Sequence, residues 1–405
     1  MNVPDKARLH RLYGKEQKRI AYFKSDFVDY VLMCVLCMLG IHVAYGGTHP
    51  ITLIGIALAL WMVVVFPKRH GWEISMPLLL RRPQELVYLL VHKVLNLKWM
   101  FFLALAVLLL ENYLIYLTPN LPHHTEGMRV VALYLFYIHL GGITVFRTYI
   151  LYVHLRRKEL VREILMQTAW KRKLEQQPNV TLEIVHAYAT GLLAHILLIA
   201  PWFLVINYFK FSVLFLPVVG AINIFTQSKY LKVLNTWFYR DHWLSHHSEL
   251  DFIYLHGTHH DAIPSGLIGV AGNGFLEGLT RHGLAAPATF YNPIISTLVN
   301  TIEVVGDIDS HQFIPGMYPK ANIDEQRTTQ HSMHHFGRLE PYSFGISVDQ
   351  PGVSEAYIKS LKYLPEELKT AIKIDEALDG FEWRNQHHAA YLDLVMKYES
   401  NEKKS

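Results

Sequence analysis

Apolar and polar positions in this chain are separated into blocks. Six apolar runs occupy residues 27–46, 50–66, 97–117, 129–153, 184–206 and 208–226. Most approach or exceed the roughly 20 residues a helix needs to cross a bilayer, with the second and sixth runs at the short end. The connections between them are of two kinds. Residues 46–50 and 207–210 form tight turns, and 118–128 is a short loop without Lys or Arg. Residues 67–98 and 154–183 are long and basic, the first carrying Lys68, Arg69, Arg81 and Arg82, the second Arg156, Arg157, Lys158 and Arg162. Basic connections stay on the cytoplasmic side. Six crossings with the N-terminus inside therefore put every basic segment in the cytoplasm and every charge-poor turn outside.

The pattern predicts an all-α protein, a multi-pass membrane helical bundle followed by a cytoplasmic helical domain. Residues 1–26 form a basic amphipathic segment, with Lys6, Arg8 and Arg11 among Leu9 and Leu12. This suits either a helix on an anionic membrane surface or a solvated tail. Residues 27–226 form a transmembrane domain of about six spans. Residues 227–350 form the domain that carries the candidate chemistry, and 351–405 a soluble helical segment. Composition agrees: 51% of residues are apolar, 18% are charged and the mean hydropathy is +0.16. The net charge of +4 gives no reason to invoke nucleic acid, because the positive residues lie beside apolar runs. Cys34 and Cys37 lie within the first run and read as small apolar side chains rather than a redox pair. Five polar residues fall inside the runs: Glu111, His139, Arg147, His186 and His195. Ionisable groups at membrane depth are candidates for substrate contact, and Glu111 and Arg147 can alternatively snorkel from near a helix end.

Beyond Gln227 the histidines gather. One box reads H-x-x-x-H-H (His242, His246, His247), and two read H-x-x-H-H (His256, His259, His260 and His331, His334, His335). Within each box the spacings of three, four or five are read as one face of a helix. With 24 histidines in the chain, one chance H-x-x-H-H is unsurprising, whereas three boxes on one predicted membrane face are not. Nine imidazoles exceed what one metal ion accepts, so the boxes predict two ions, each with a position left open. His311 is a tenth donor, and Asp307, one helical turn before it, is a ligand or a carboxylate that orients one. Isolated histidines, among them His49, His154 and the pair His123 and His124, are expected to be surface or packing residues. Imidazole suits zinc, copper, iron and nickel alike. The H-E-x-x-H of hydrolytic zinc enzymes is absent, and the boxes hold no cysteine. An all-nitrogen pair of open sites points towards dioxygen chemistry.

The boxes, in this order after a set of hydrophobic hairpins, resemble those of the fatty acid hydroxylase/sterol desaturase superfamily of membrane di-iron enzymes. The segment L-H-G-T-H-H-D-A-I-P (255–264) is similar to the second box of its fatty acid and sphingolipid hydroxylases. Y-S-F-G-I-S (342–347) resembles the superfamily's closing segment, and Asp307 and His311 fall where a further pair of ligand histidines is usual. The likeness covers residues 227–350. It departs from the pattern at Asp307, at Val348-Asp349 in place of Trp-Asp, and in having six N-terminal runs where four are usual.

The resemblance implies two Fe ions, O2 as co-substrate, and a lipid taken from the bilayer whose C–H bond is attacked. Hydroxylation is the first expectation. A lipid, sterol or carotenoid desaturase is the enzymatic alternative, and a histidine-rich zinc-binding membrane protein the alternative of another class. The chain has no haem, flavin or dinucleotide motif. The electron donor is therefore expected to be separate, a cytochrome b5-like or ferredoxin-like carrier with its reductase. The expected location is a bacterial inner membrane or the endoplasmic reticulum, with the active site facing the cytoplasm.

Overall fold

The computed structural model describes residues 98–166, 179–198, 205–247 and 353–360 continuously, with residues 52–57 and scattered positions between 35 and 60 and between 292 and 308. All regular structure among the described residues is helical: α1 (Lys98–Leu117), α2 (Thr125–Arg156), α3 (Lys158–Met166), α4 (Val180–Leu198), α5 (Leu216–His247) and α6 (Glu355–Ser360). No strand occurs among them. The all-α expectation therefore holds for the described residues.

Each helix begins and ends for a local reason. α1 stops where Pro119 follows Thr118, since the residue before a proline is driven out of the helical region. The Thr118 hydroxyl donates to Leu114 O at 2.6 Å and covers one terminal carbonyl. α2 starts after His124, which adopts a left-handed conformation (φ 50°) and gives no side-chain cap. Glu126 in its first turn and Arg156 in its last complement the helix dipole. Asn179 caps α4 by accepting the Leu182 N–H at 3.0 Å.

α2 is long and apolar enough to cross a membrane. At 1.5 Å per residue its 32 residues extend about 48 Å. Its buried positions (Phe136, His139, Ile143, Arg147, Ile150 and His154) recur every three or four residues, one stripe down the helix. α4 packs along that helix. Thr148 meets Tyr188 at 2.9 Å and His139 meets His195 with ring centroids 5.3 Å apart, so the two helices run antiparallel. α3 touches both.

The surface is inverted relative to a water-soluble protein. Ile138 is 69% and Val145 70% exposed, while on the same helix His139 is 4% and Arg147 0% exposed. Glu111 and His195 are buried as well. Apolar side chains outside and ionisable ones inside are what a hydrocarbon solvent selects. In the first hairpin Gly55 approaches Met38 so closely that an added Cβ would lie 2.7 Å from its Cε, the close contact that small residues allow between apolar helices.

The sixth apolar run departs from expectation. Residues 209–215 are not helical, and α5 begins only at Leu216. Its helix then continues without a break through Gln227 to His247, so the change of composition at Gln227 is not a change of element. A cluster of Leu108, Met128, Phe211 and Val219 joins α1, the start of α2, the reversal and the start of α5.

Ile294 packs against this same cluster, and Thr301, farther along its run, reaches His139 of α2. The described residues between 294 and 308 therefore follow α2 in its own direction. Beside α2, the Thr301 hydroxyl oxygen lies 2.7 Å from His139 Nδ1 and its hydrogen goes to Thr297 O.

Candidate metal centre

The first histidine box stands on the last turns of α5. His242 is 2% exposed, and its ring meets that of Phe238, one turn earlier, edge-on at 5.5 Å. Asp241, Trp243, Leu244 and Ser245 are buried too. Ser245 donates its hydroxyl to Asp241 O at 2.8 Å. This end of α5 is enclosed on all sides, as a metal site that excludes bulk water requires.

The helical backbone corrects one part of the spacing argument. Residues four apart are separated by about 40° around a helix, and residues five apart by about 140°. Positions 242 and 246 therefore share a face of α5, and 247 does not share it with 242. A spacing of five does not converge on an unbroken helix.

The remaining expected ligands, His256, His259, His260, His311, His331, His334 and His335, lie outside the described residues, as does Asp307. So do the side chains of His246 and His247, and that of the span histidine His186. Among the described residues no group of three His, Cys, Asp or Glu is assembled to hold a metal ion. The donor chemistry of the described portion fits a nitrogen-ligated ion: a buried imidazole with a second histidine one turn on, in a helix that fixes both backbones.

Three isolated histidines expected to be surface or packing residues are buried and bonded. His154 Nδ1 is 2.8 Å from Ile150 O, His49 bonds the Tyr137 hydroxyl, and His123 ties two loops together. Of the polar residues within the apolar runs, Glu111, His139, Arg147 and His195 are all buried.

Two contacts carry no signal in the sequence. Arg240 lies with its guanidinium carbon 5.4 Å from the centroid of the Tyr357 ring, which brings α6 to the end of α5. Thr301 is an ordinary residue of an apolar run, yet its hydroxyl oxygen is 2.7 Å from His139 Nδ1. Compared with known proteins, the chain matches no family model, no curated protein and no solved structure.

Proposed function

We propose that this protein is a membrane-bound di-iron monooxygenase that hydroxylates a lipid. One observation carries the reading: a single unbroken helix begins among apolar helices at Leu216 and ends in a histidine box with His242 buried. The apolar run ends at Thr226, and the sixteen residues from there to His242, about 24 Å of helix, include Gln227, Lys229 and Lys232. Box one then stands beyond the apolar part of α5, on the side from which a lipid substrate would be drawn. The basic residues that close α2 and open α3, Arg156, Arg157 and Lys158, support a cytoplasmic end for α2 by the charge rule. The inverted surface supports a multi-pass bundle of α1, α2, α4 and α5.

His242 and His246 from α5, with His256, His259, His260, His331, His334 and His335 and with His247 and His311, are the residues to hold two irons. When bound and reduced, the pair supplies O2 activation. The overall change is RH + O2 + 2e− + 2H+ → ROH + H2O. The chain itself excludes water around His242, which is buried with Asp241, Trp243, Leu244 and Ser245. The electrons come from a separate carrier and reductase, since the sequence holds no cofactor motif of its own.

Metal analysis of the purified protein, joined to lipid mass spectrometry of cells carrying the native chain or a His334→Ala variant, tests the reading. Two irons per chain and a product heavier by one oxygen, missing in the variant, are expected. A product lighter by two hydrogens assigns the same centre to desaturation. Stoichiometric zinc without iron, in protein whose activity needs no O2, sinks the oxygenase reading.

A further inference from the structure

We propose that the exposed side of α2 is a lipid-facing surface fitted to a thin, sterol-poor bilayer with a hydrocarbon layer about 27 Å thick. In it the helix stands nearly upright, and Tyr134 and Tyr152 mark the two boundaries. The inference rests on the membrane-bound part of the reading above and adds the kind of bilayer the protein fits.

The four tyrosines of α2 fall in two pairs, Tyr134 with Tyr137 and Tyr149 with Tyr152, and all four are exposed. Tyr134 and Tyr152 are eighteen residues apart. That is five full turns, so they stand on one line of the helix about 27 Å from each other. Tyr137 is held by its bond to His49. Among the described residues Tyr134 and Tyr152 make no hydrogen bond or ring contact. An exposed ring with a hydroxyl that no protein group binds is the side chain that settles at a membrane–water interface.

The surface between them is what hydrocarbon accepts. Within about 40° of that line stand only Ile138, Gly141, Val145 and Thr148, all exposed. The Thr148 hydroxyl is satisfied inside the protein: it donates to Thr144 O at 2.7 Å and accepts from the Tyr188 hydroxyl at 2.9 Å. The histidine and the arginine of α2 between the two tyrosines, His139 and Arg147, belong to the buried stripe instead.

The charged side chains open to solvent lie outside this band. Glu126 and Arg129 bond each other at 3.0 Å before it, and Arg156, Lys158 and Glu159, all exposed, follow it. Arg129 and Arg156 are twenty-seven residues apart, about 40 Å of helix. A bilayer with its headgroup regions measures about 40–45 Å. A strong tilt would draw one of these arginines into hydrocarbon, so the charges and the tyrosines both ask for an upright α2. A sterol- and sphingolipid-rich bilayer, at about 32–33 Å of hydrocarbon, would submerge both tyrosine hydroxyls.

The test uses the full-length protein in phosphatidylcholine vesicles whose hydrocarbon layers are about 23, 27 and 33 Å thick. The thermal midpoint of the native chain is expected to be highest at about 27 Å, and lower by about 2–5 °C in the other two. Nitroxide labels at Tyr134→Cys, Ile138→Cys, Val145→Cys and Tyr152→Cys, each made with Cys34→Ala and Cys37→Ala, read depth from their relaxation by oxygen and by a water-soluble nickel chelate. The labels at positions 134 and 152 are expected at equal, shallow depth, with 138 deeper and 145 deepest. Where a labelled variant does not fold, the vesicle series on the native chain decides. A midpoint that is highest in the thinnest or the thickest vesicles, or flat across the series, overturns this inference alone, as do unequal depths at 134 and 152. Protein that alkaline carbonate strips from the vesicles overturns the membrane-bound reading itself.

Discussion

His123 Nδ1 lies 2.9 Å from the Ser212 hydroxyl, and this contact ties the two charge-poor chain reversals to each other. Thr118 gives its own hydrogen to Leu114 O, so His123 Nε2 carries the hydrogen it directs at Thr118, 2.8 Å from the carbonyl oxygen and 2.9 Å from the hydroxyl. Nδ1 is left to accept from Ser212. The Ser212 N–H in turn donates to Glu111 Oε1 at 3.0 Å, and Val213 N–H to His123 O at 3.0 Å.

Replacing Ser212 by alanine strands a buried acceptor on His123 and should lower stability by about 1–3 kcal/mol. A fall in the thermal midpoint of the detergent-solubilised protein checks this. Metal content should not change, because the clip stands at the opposite end of α5 from His242.

Gly55 makes a second, steric prediction. Its added Cβ would meet the end of the flexible Met38 side chain rather than backbone, so Gly55→Ala should cost less than about 1 kcal/mol as Met38 shifts rotamer. Gly55→Leu has no such outlet and should separate the first hairpin, costing about 1–3 kcal/mol. Adding Met38→Ala to Gly55→Leu should restore part of that loss. Thermal unfolding of the two single variants and the double variant provides the test, and a strictly additive double variant would refute the contact.

Block-wise hydropathy made the long apolar helices legible, because length and apolarity are both local properties. α2 and the approach to box one could be read directly. The internal partners of the spans could not. His139, Arg147 and His154 are spaced as one stripe, but a hydropathy average treats them as interruptions, and nothing local says whether a polar residue faces lipid or protein. A turn was legible at 207–210 but not its extension to 215: Phe211, Val213 and Leu214 are as apolar as any of the runs, and Asn112 bonds Lys210 and Glu111 bonds Ser212 from about a hundred residues away. The path of 294–308 beside α2 likewise depends on a partner 162 residues distant in sequence. Box one was found by composition, yet its angular arrangement needed the helix.

That arrangement gives the third prediction. Positions 242 and 246 share a face of α5, and 247 is turned about 100° from 246. His242 and His246 should therefore serve one ion together. The His242→Ala/His246→Ala double variant should bind as much metal as either single variant, while His247→Ala should leave that ion in place. Metal stoichiometry by elemental analysis measures this, and losses that add between 242 and 246 would contradict the shared face.

The last prediction concerns what steadies the end of α5. Arg240 precedes the buried Asp241 and His242, and the Tyr357 ring of α6 lies beside its guanidinium. The Tyr357 hydroxyl is 3.5 Å from Arg240 O, too long for a strong hydrogen bond. The ring rather than the hydroxyl should then carry the contact, at about 0.5–2 kcal/mol for a partly buried cation–π pair. Tyr357→Phe should leave the terminal turns of α5 unchanged, and Tyr357→Ala should loosen them. Amide hydrogen exchange at residues 240–247 reports the difference directly: faster exchange in the Ala variant with native rates in the Phe variant is expected. Equal acceleration in both would move the contribution to the hydroxyl. Because α6 lies in the segment expected to be a separate soluble tail, faster exchange in Tyr357→Ala would also make that segment part of the support for box one.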